Sequence, residues 1–599
     1  MSQLLKSSSA MSAATMSSRV LGLVREMVYA SFMGASWVTD AFMLAFMVPN
    51  LFRRLLGEGA LTAAFIPIFK EKEKTAGETE MWRAANAVIS GLMVSASAVV
   101  AFGILGISAV LLVDLPGGAM WRLAAILREL YPGALVICLI ALGLKVASGG
   151  RSGGWRRASL FASSLGASAS AALLLGGLAI WAAVSKDSGG GKTLLMLQLL
   201  RVMFPYVLLV CLAAIFMGML NARGHFFVPA MGATMLNIVM IASVLWLAPR
   251  LGARLQDQIF GLAIGVIVAG VVQASFQWPL LRKEGFRYQW VPPWGDETVR
   301  RVVAQMVPGA IGVAAFQINV LVTQGMAFCV ESGVLSSFAY AVRLMELPQG
   351  VFGISLATYL LPTLSGLAAE KKYPEFRATL AQGLGWLVFV NLLAGALLLA
   401  LAEPMIRLLF ERGRFHEEDT RRSAEALACL APGLVAFSVV NILARAFYAL
   451  GDTRTPMRIS VFCLSVNLVL SAALVWWLKQ AGLGIANTLS AMVNMSLLLY
   501  ALRKKLKRLE LSSLRRPVVV LFGGAVLAGS LAWGVAWLWS AKLGHDRFVL
   551  RLGEVFVPIA LAALVYLGVA ATFKTSQSAE LLALFRFRWR RERTQIQGS

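Results

Sequence analysis

Residues 1–70 set charged side chains along two otherwise apolar, helix-forming segments. Ser18, Arg19, Arg25 and Glu26 lie on the first, and Asp40, Asn50, Arg53 and Glu58 on the second. A charge inside an apolar segment of membrane-spanning length costs a few kcal/mol on insertion scales, so such groups usually face a water-filled cavity and serve a transport path. A second cluster, Arg343 and Glu346, sits in Tyr340-Ala-Val-Arg-Leu-Met-Glu-Leu-Pro348. Among Arg19, Arg25, Asp40, Arg53, Glu58, Arg343 and Glu346 the arginines outnumber the acids. That balance suits an anion, and phosphate above all, because a planar guanidinium offers paired charge-assisted hydrogen bonds that an ammonium cannot. The acids then hold the arginines in place or take part in coupling; for Glu58 and Glu346 a structural ion pair between helices is the competing role. At 100° per residue Arg19 and Arg25 stand about 120° apart, which fits two walls of a cavity better than one gripping face. Arg19 and Glu26, seven apart, share a face and are placed to pair. The plainer alternative is a long N-terminal helix whose arginines snorkel to the interface.

The elements that carry these residues follow from composition. The chain has 599 residues, 58% hydrophobic and 14% charged, whereas a soluble protein is roughly a quarter charged. Apolar runs separated by short polar loops predict helical spans at 10–32, 36–69, 84–113, 130–148, 158–184, 196–220, 228–248, 257–281, 299–330, 334–366, 378–402, 423–450, 457–478, 481–502, 517–540 and 549–573. Several are longer than the ~20 residues a bilayer requires, so they must tilt, kink or project into water. Pro49, Pro308, Pro348 and Pro362 are the candidate kinks. The Ser-rich start lacks a cleavable signal pattern, so the first span is expected in the mature protein.

The net charge of +25 would suggest nucleic acid in a soluble protein. Here it follows topology instead. With the N-terminus inside, the inside loops collect Lys70/Lys72/Lys74, Arg151/Arg156/Arg157, Arg282/Lys283/Arg287, Lys371/Lys372, Arg503-Lys504-Lys505 and Arg515-Arg516. These hold about twice the Lys and Arg of the outside loops, which places both termini in the cytoplasm. The basic tail from Phe585 to Arg593 fits anionic lipid headgroups, at ~1 kcal/mol per surface cation, or serves as a topological anchor. Cys138, Cys211, Cys329, Cys429 and Cys463 are scattered in apolar segments and read as packing residues; His225, His416 and His545 show no ligand spacing. Gly189-Gly190-Gly191-Lys192-Thr193 mimics a phosphate loop, but Lys186 stands where the first glycine is needed and no strand precedes it.

An internal repeat organises the spans. Pro205, Asn221-Ala222-Arg223 and Pro229 form one helix–turn–helix; Pro432, Leu450-Gly451-Asp452 and Pro456 form another, offset by 227. Thr39-Asp40-Ala41-Phe42 with Pro49-Asn50 answers Phe338-Ala339-Tyr340-Ala341 with Pro348-Gln349, offset by 299. The difference between the offsets locates a two-helix insertion of about 70 residues at about 114–195, rich in Gly and Ser. The predicted fold is an all-α polytopic membrane protein of about 16 spans: two six-helix lobes in parallel repeat around a central cavity, two C-terminal helices and the insertion. Such a plan suits alternating access. The domains are 1–281 (first lobe, with the insertion), 282–502 (second lobe) and 503–599 (two C-terminal helices and the basic tail).

The run from Ser18 to Phe69, with Arg343-Leu-Met-Glu346-Leu-Pro348 and Phe204-Pro205-Tyr206 through Leu220-Asn221 to Pro229, resembles the MurJ/MviN family of bacterial lipid II flippases. That family belongs to the multidrug/oligosaccharidyl-lipid/polysaccharide exporter superfamily. The likeness covers nearly all the chain except about 114–195. It implies two six-helix lobes around a cationic cavity and a C-terminal helix pair that forms a groove for a polyprenyl tail. It also implies transport of the undecaprenyl-pyrophosphate-linked peptidoglycan precursor from the cytoplasmic to the periplasmic leaflet of the inner membrane. The family's cavity arginines match Arg19, Arg25, Arg53 and Arg343. Its neighbouring acids and asparagine match Asp40, Glu58, Glu346 and Asn50, and Ser18 and Glu26 fall at further cavity positions. Glu26 replaces a more usual Asp, and Val342 stands where the family often has an acid. The insertion departs from the family's fourteen spans, and Lys145 within it is a second candidate intramembrane charge.

The resemblance implies no catalytic residue and no cofactor. The driving force is expected from the membrane potential, at ~2.3 kcal/mol per charge per 100 mV, or from a sodium or proton cycle, with Asn467 the candidate sodium ligand. The expected partners are lipid II, anionic lipids and cell-wall synthesis proteins, and no nucleic acid. The nearest alternative is an exporter of the same superfamily for another polyprenyl-linked saccharide. A glycosyltransferase would need a carboxylate-bearing outside domain, and the acid-rich loop Glu411–Asp419 is short; a scaffold would not need arginines in both lobes.

Overall fold

The computed structural model describes residues 2–54, 61–112, 191–509, 512–575 and 577–580. Glu58, Cys138, Lys145, nearly all of the expected insertion and the basic tail lie outside the described residues. Among those described, every regular element is helical. The chain divides into two compact units, Met1–Gly333 and Val334–Ser599.

In the first unit, α1 (Ser2–Met33) meets α2 (Trp37–Phe52) at a turn where Gly34 takes φ +61°. Ser36 caps α2: its Oγ accepts from Thr39 N–H at 3.3 Å, while Thr39 Oγ1 donates back to Met33 O at 2.9 Å. α3 (Thr62–Leu112) is broken at Gly77, φ +82°. α4 (Lys192–Met203) and α5 (Tyr206–Ala222) form a span bent by 44° around Pro205, which lacks the N–H that would continue the helix. α6 (Phe227–Ala242) runs into a π-turn (Ser243–Leu247), followed by α7 (Leu255–Lys283) and α8 (Glu297–Val330). Gly265 lets α7 approach that π-turn, because a Cβ there would lie 2.3 Å from Ser243 Oγ. α1 packs on α6, α2 on α4, and α3 on α5 and α8. The core between α3, α5 and α7 is built from Phe65, Phe69, Met81, Met219, Leu281 and Phe286.

In the second unit, α9 (Val334–Pro348) leads through a π-turn (Gln349–Ile354) into α10 (Ser355–Ala369). α11 (Tyr373–Ala400), α12 (Ala402–Phe410), α13 (Glu417–Leu430) and α14 (Leu434–Ala449) follow. α15 (Arg454–Leu506) is broken at Lys479, φ +48°, the point that separates the expected spans 457–478 and 481–502. The closing pair is α16 (Ser512–Leu543) and α17 (Phe548–Thr572). This pair packs along its length and rests on α11, where Tyr566 OH donates to Phe389 O at 2.7 Å.

Eight helices among the described residues are long and apolar enough to cross a membrane, nine if the bent pair α4–α5 counts as one. α2 and α9, which carry Asp40 and Arg343, are 16 and 15 residues long and fall short of that measure.

The turns α5–α6 and α14–α15 are built alike. Gly224 and Gly451 take φ +86° and +73°, and the next N–H of each closes the helix end: His225 to Leu220 O and Asp452 to Phe447 O, both 2.9 Å. These are the glycine-closed ends in which a left-handed residue satisfies the last carbonyls. All three positions keep the 227 offset of the sequence repeat.

Candidate functional site

The first cluster is built on α1 and α6. Arg25 Nη1 donates to Asn237 Oδ1 at 3.0 Å, and Nη2 to Glu26 Oε1 at 2.5 Å. Its guanidinium lies 5.4 Å from the Tyr29 ring centroid. Asn237 Nδ2 in turn donates to Ser18 O at 3.1 Å, so one amide on α6 grips α1 at two points. Glu26 is buried and pairs with Arg25 rather than with Arg19. The face shared by Arg19 and Glu26 does not decide the pairing; Asn237 does, by holding the Arg25 fork beside the carboxylate. Arg25 Nε is buried and has no hydrogen-bond partner among the described residues. A desolvated guanidinium with an unfilled donor suits an incoming anionic oxygen. Arg19 is half-buried on the same helix.

The second cluster surrounds Asp40, which has no exposed surface. Its Oδ2 accepts from Lys192 Nζ at 3.0 Å and from Gly333 N–H at 2.8 Å. Lys192 also donates to Phe328 O at 2.8 Å and stands 4.4 Å from the Phe328 ring centroid. The Ser36 cap fixes Asp40 in the first turn of α2, where the helix dipole favours an anion. A buried charge persists only with partners of this quality, and here they join α2, α4 and the turn after α8. Asn50 and Arg53 are half-buried at the end of α2, and Arg53 N–H bonds to Asn50 O and Pro49 O.

In the second unit, Arg343 Nη1 meets Glu346 Oε2 at 2.8 Å on α9, with 45% and 50% of the two side chains exposed. Asn467 is buried in α15. Among the described residues no group of three or more His, Cys, Asp or Glu is placed to hold a metal ion.

Two residues of these clusters escaped the sequence reading. The signal for Asn237 was an amide in the apolar run 228–248. Lys192 reads in the sequence as part of a phosphate-loop mimic, yet it opens α4 and pairs with Asp40.

The family model described as "Lipid II flippase MurJ" matches residues 29–147 and 155–553. The chain belongs to the MurJ family. The match extends into 114–195, which the motif resemblance left aside. A probable lipid II flippase MurJ of Vibrio cholerae is 32% identical over 95% of this chain and 97% of its own length. The lipid II flippase MurJ of Burkholderia cenocepacia is 31% identical over 87% of this chain and 88% of its own. A solved structure of lipid II flippase MurJ in an inward closed conformation superposes with TM-score 0.65 at 21% identity, covering 94% of this chain and 98% of that one. The all-helical MurJ fold is therefore that of this chain, a multi-pass bacterial membrane protein.

Proposed function

We propose that this MurJ family member carries lipid II, the undecaprenyl-pyrophosphate-linked peptidoglycan precursor, from the cytoplasmic to the periplasmic leaflet of the inner membrane. The observation that carries the reading is Arg25: a guanidinium with 14% of its side chain exposed, oriented by Asn237 and Glu26, with a buried Nε unfilled. Relatives at about a third identity are named for that flippase activity, and no bond is made or broken in moving a lipid across a bilayer.

The working scheme has two six-helix lobes, two C-terminal helices, about 16 spans in all and cytoplasmic termini. The boundaries are those of 1–281, 282–502 and 503–599. Arg19, Arg25, Arg53 and Arg343 take the pyrophosphate; Ser18, Glu26, Asp40, Asn50, Glu58 and Glu346 complete the site. Rocking of the lobes exposes the headgroup outside while the tail stays in lipid. Membrane potential, sodium (with Asn467) or protons drive the cycle, and anionic lipids and cell-wall synthesis proteins are the further partners.

The test is lipid II exposure at the outer leaflet of bacteria depleted of their own flippase. The cells express this protein, Arg25→Ala or Arg343→Ala at matched membrane levels. Rescue by the parent with at least ~tenfold loss in the variants supports the scheme, a factor worth about 1.4 kcal/mol. Equal rescue by all three keeps the flippase and removes these arginines from the site. No rescue by a well-expressed parent rejects lipid II as the cargo.

A further inference from the structure

A charge cluster that the cargo reading does not use lies where α12 meets α17. Arg407 of α12 is buried. It is bound by Glu403 of its own helix, by Glu554 Oε1 of α17 at 3.1 Å and by Glu411, after α12, at 3.6 Å. Glu411 also accepts from Thr420 Oγ1 of α13 at 2.8 Å and from Arg551 Nη2 of α17 at 3.1 Å. Arg551 Nε donates to His545 O in the α16–α17 turn at 2.8 Å. Arg412, the next cation along, is turned onto the Phe548 ring.

Three carboxylates therefore face two arginines, one negative charge in excess. The excess has an address. Glu554 is 2% exposed, and its Oε2 is buried with no hydrogen-bond partner among the described residues. Every other carboxylate of the cluster is more exposed, Glu403 at 52% and Glu411 at 15% of the side chain. Burying a carboxylate oxygen without a donor is costly even when its fellow oxygen is paired, and a proton on it removes that charge. His545 acts electrostatically on Glu554 and has its own Nδ1 buried without a partner.

We propose that Glu554 is a proton-binding site: Oε2 carries the proton while Oε1 accepts from Arg407. The proton comes from water and returns to water. Bound, it balances the cluster at two cations and two anions. The charge state of the joint that holds the C-terminal helix pair thus depends on pH. This does not rest on the identity of the cargo.

Infrared difference spectroscopy of the full chain in bilayers, stepped from about pH 4 to about pH 9, reads protonated carboxyls directly. The expected result is a carboxylic-acid C=O band that survives at neutral pH and shifts in heavy water. It should be absent in Glu554→Gln and retained in Glu403→Gln. A parent with no protonated-carboxyl band at neutral pH, or a Gln variant that keeps the whole band, overturns the proposal. If Glu554→Gln does not fold, Glu554→Asp decides: the proposal requires the band to move in frequency, and an unmoved band rejects it.

Discussion

In the first unit the charged side chains of α1 and α2 are held by partners on other helices: Arg25 by Asn237 of α6, and Asp40 by Lys192 of α4 and the Gly333 amide. In the second unit Arg343 finds Glu346 one turn along its own helix, and both side chains stand about half exposed. The same residue types thus do different physical work. A buried pair across helices fixes those helices, since removing one member strands the other without water. An exposed pair at i,i+3 adds little to stability.

The largest expected effect breaks the buried pair. Lys192→Ala takes the counter-ion from Asp40, which has no exposed surface, and should cost about 3–5 kcal/mol. It is measured as loss of monodisperse protein and a large fall in melting temperature, and Asp40→Asn combined with Lys192→Met should recover much of it. Next comes the α1–α6 grip. Asn237→Leu removes one donor and one acceptor at once and leaves Arg25 Nη1 without its acceptor, for about 1–3 kcal/mol. Hydrogen exchange should quicken in α1 ahead of α5 and α7. Should either variant melt like the parent, the contrast between the units fails.

The paired turns sharpen the comparison, for they are alike in backbone and opposite in charge. In the first unit the turn supplies Arg223 and the end of α7 supplies Glu284, 2.9 Å apart. In the second the turn supplies Asp452 and the end of α15 supplies Lys505, 2.6 Å apart. Arg223, then His225, hold the Glu284 carboxyl below its usual range. Burial opposes ionisation of Asp452, but Lys505 and the Thr455 N–H and hydroxyl outweigh it and bring its pKa to about 2. A carboxyl depressed by folding contributes stability in full above its unfolded pKa of about 3.9 and loses it as pH falls through about 2. Acid melts of the parent should therefore fall across that window, and those of Lys505→Ala, less stable at neutral pH, should fall less across it. Exchanging the charges, Asp452→Lys with Lys505→Glu, should restore stability lost in either single variant.

The smallest expected effect on stability belongs to Arg343→Ala, at most about 1 kcal/mol. If Arg343 takes part in cargo binding, that variant should still lose lipid II exposure at the outer leaflet. A variant that is both stable and fully active confines the working charges to the first unit.

Much of the fold was legible in the chain because the signals are local. Apolar runs of spanning length mark helices, Pro348 marks a break, and a helix end closed by glycine repeats at a spacing of 227, whereas the bend at Pro205 falls inside a stretch that reads as one span. The residue types of the site were legible too, since a charge inside an apolar run announces itself. What local pattern could not supply was partnership. A helical wheel sets Glu26 beside Arg19, yet Glu26 pairs with Arg25 because Asn237, over two hundred residues away, holds that guanidinium in place. Lys192 looked like part of a glycine-rich loop and is the counter-ion of Asp40. Glu554 was one more acid near the end of a span until packing buried one of its oxygens without a donor. The sequence by itself determined the helices, their breaks and which of them carry charge, because backbone satisfaction and hydrophobic period act over a few turns. Only the tertiary structure decided which charges are neutralised and which keep an open donor, because that depends on which helices pack together and how little water remains between them.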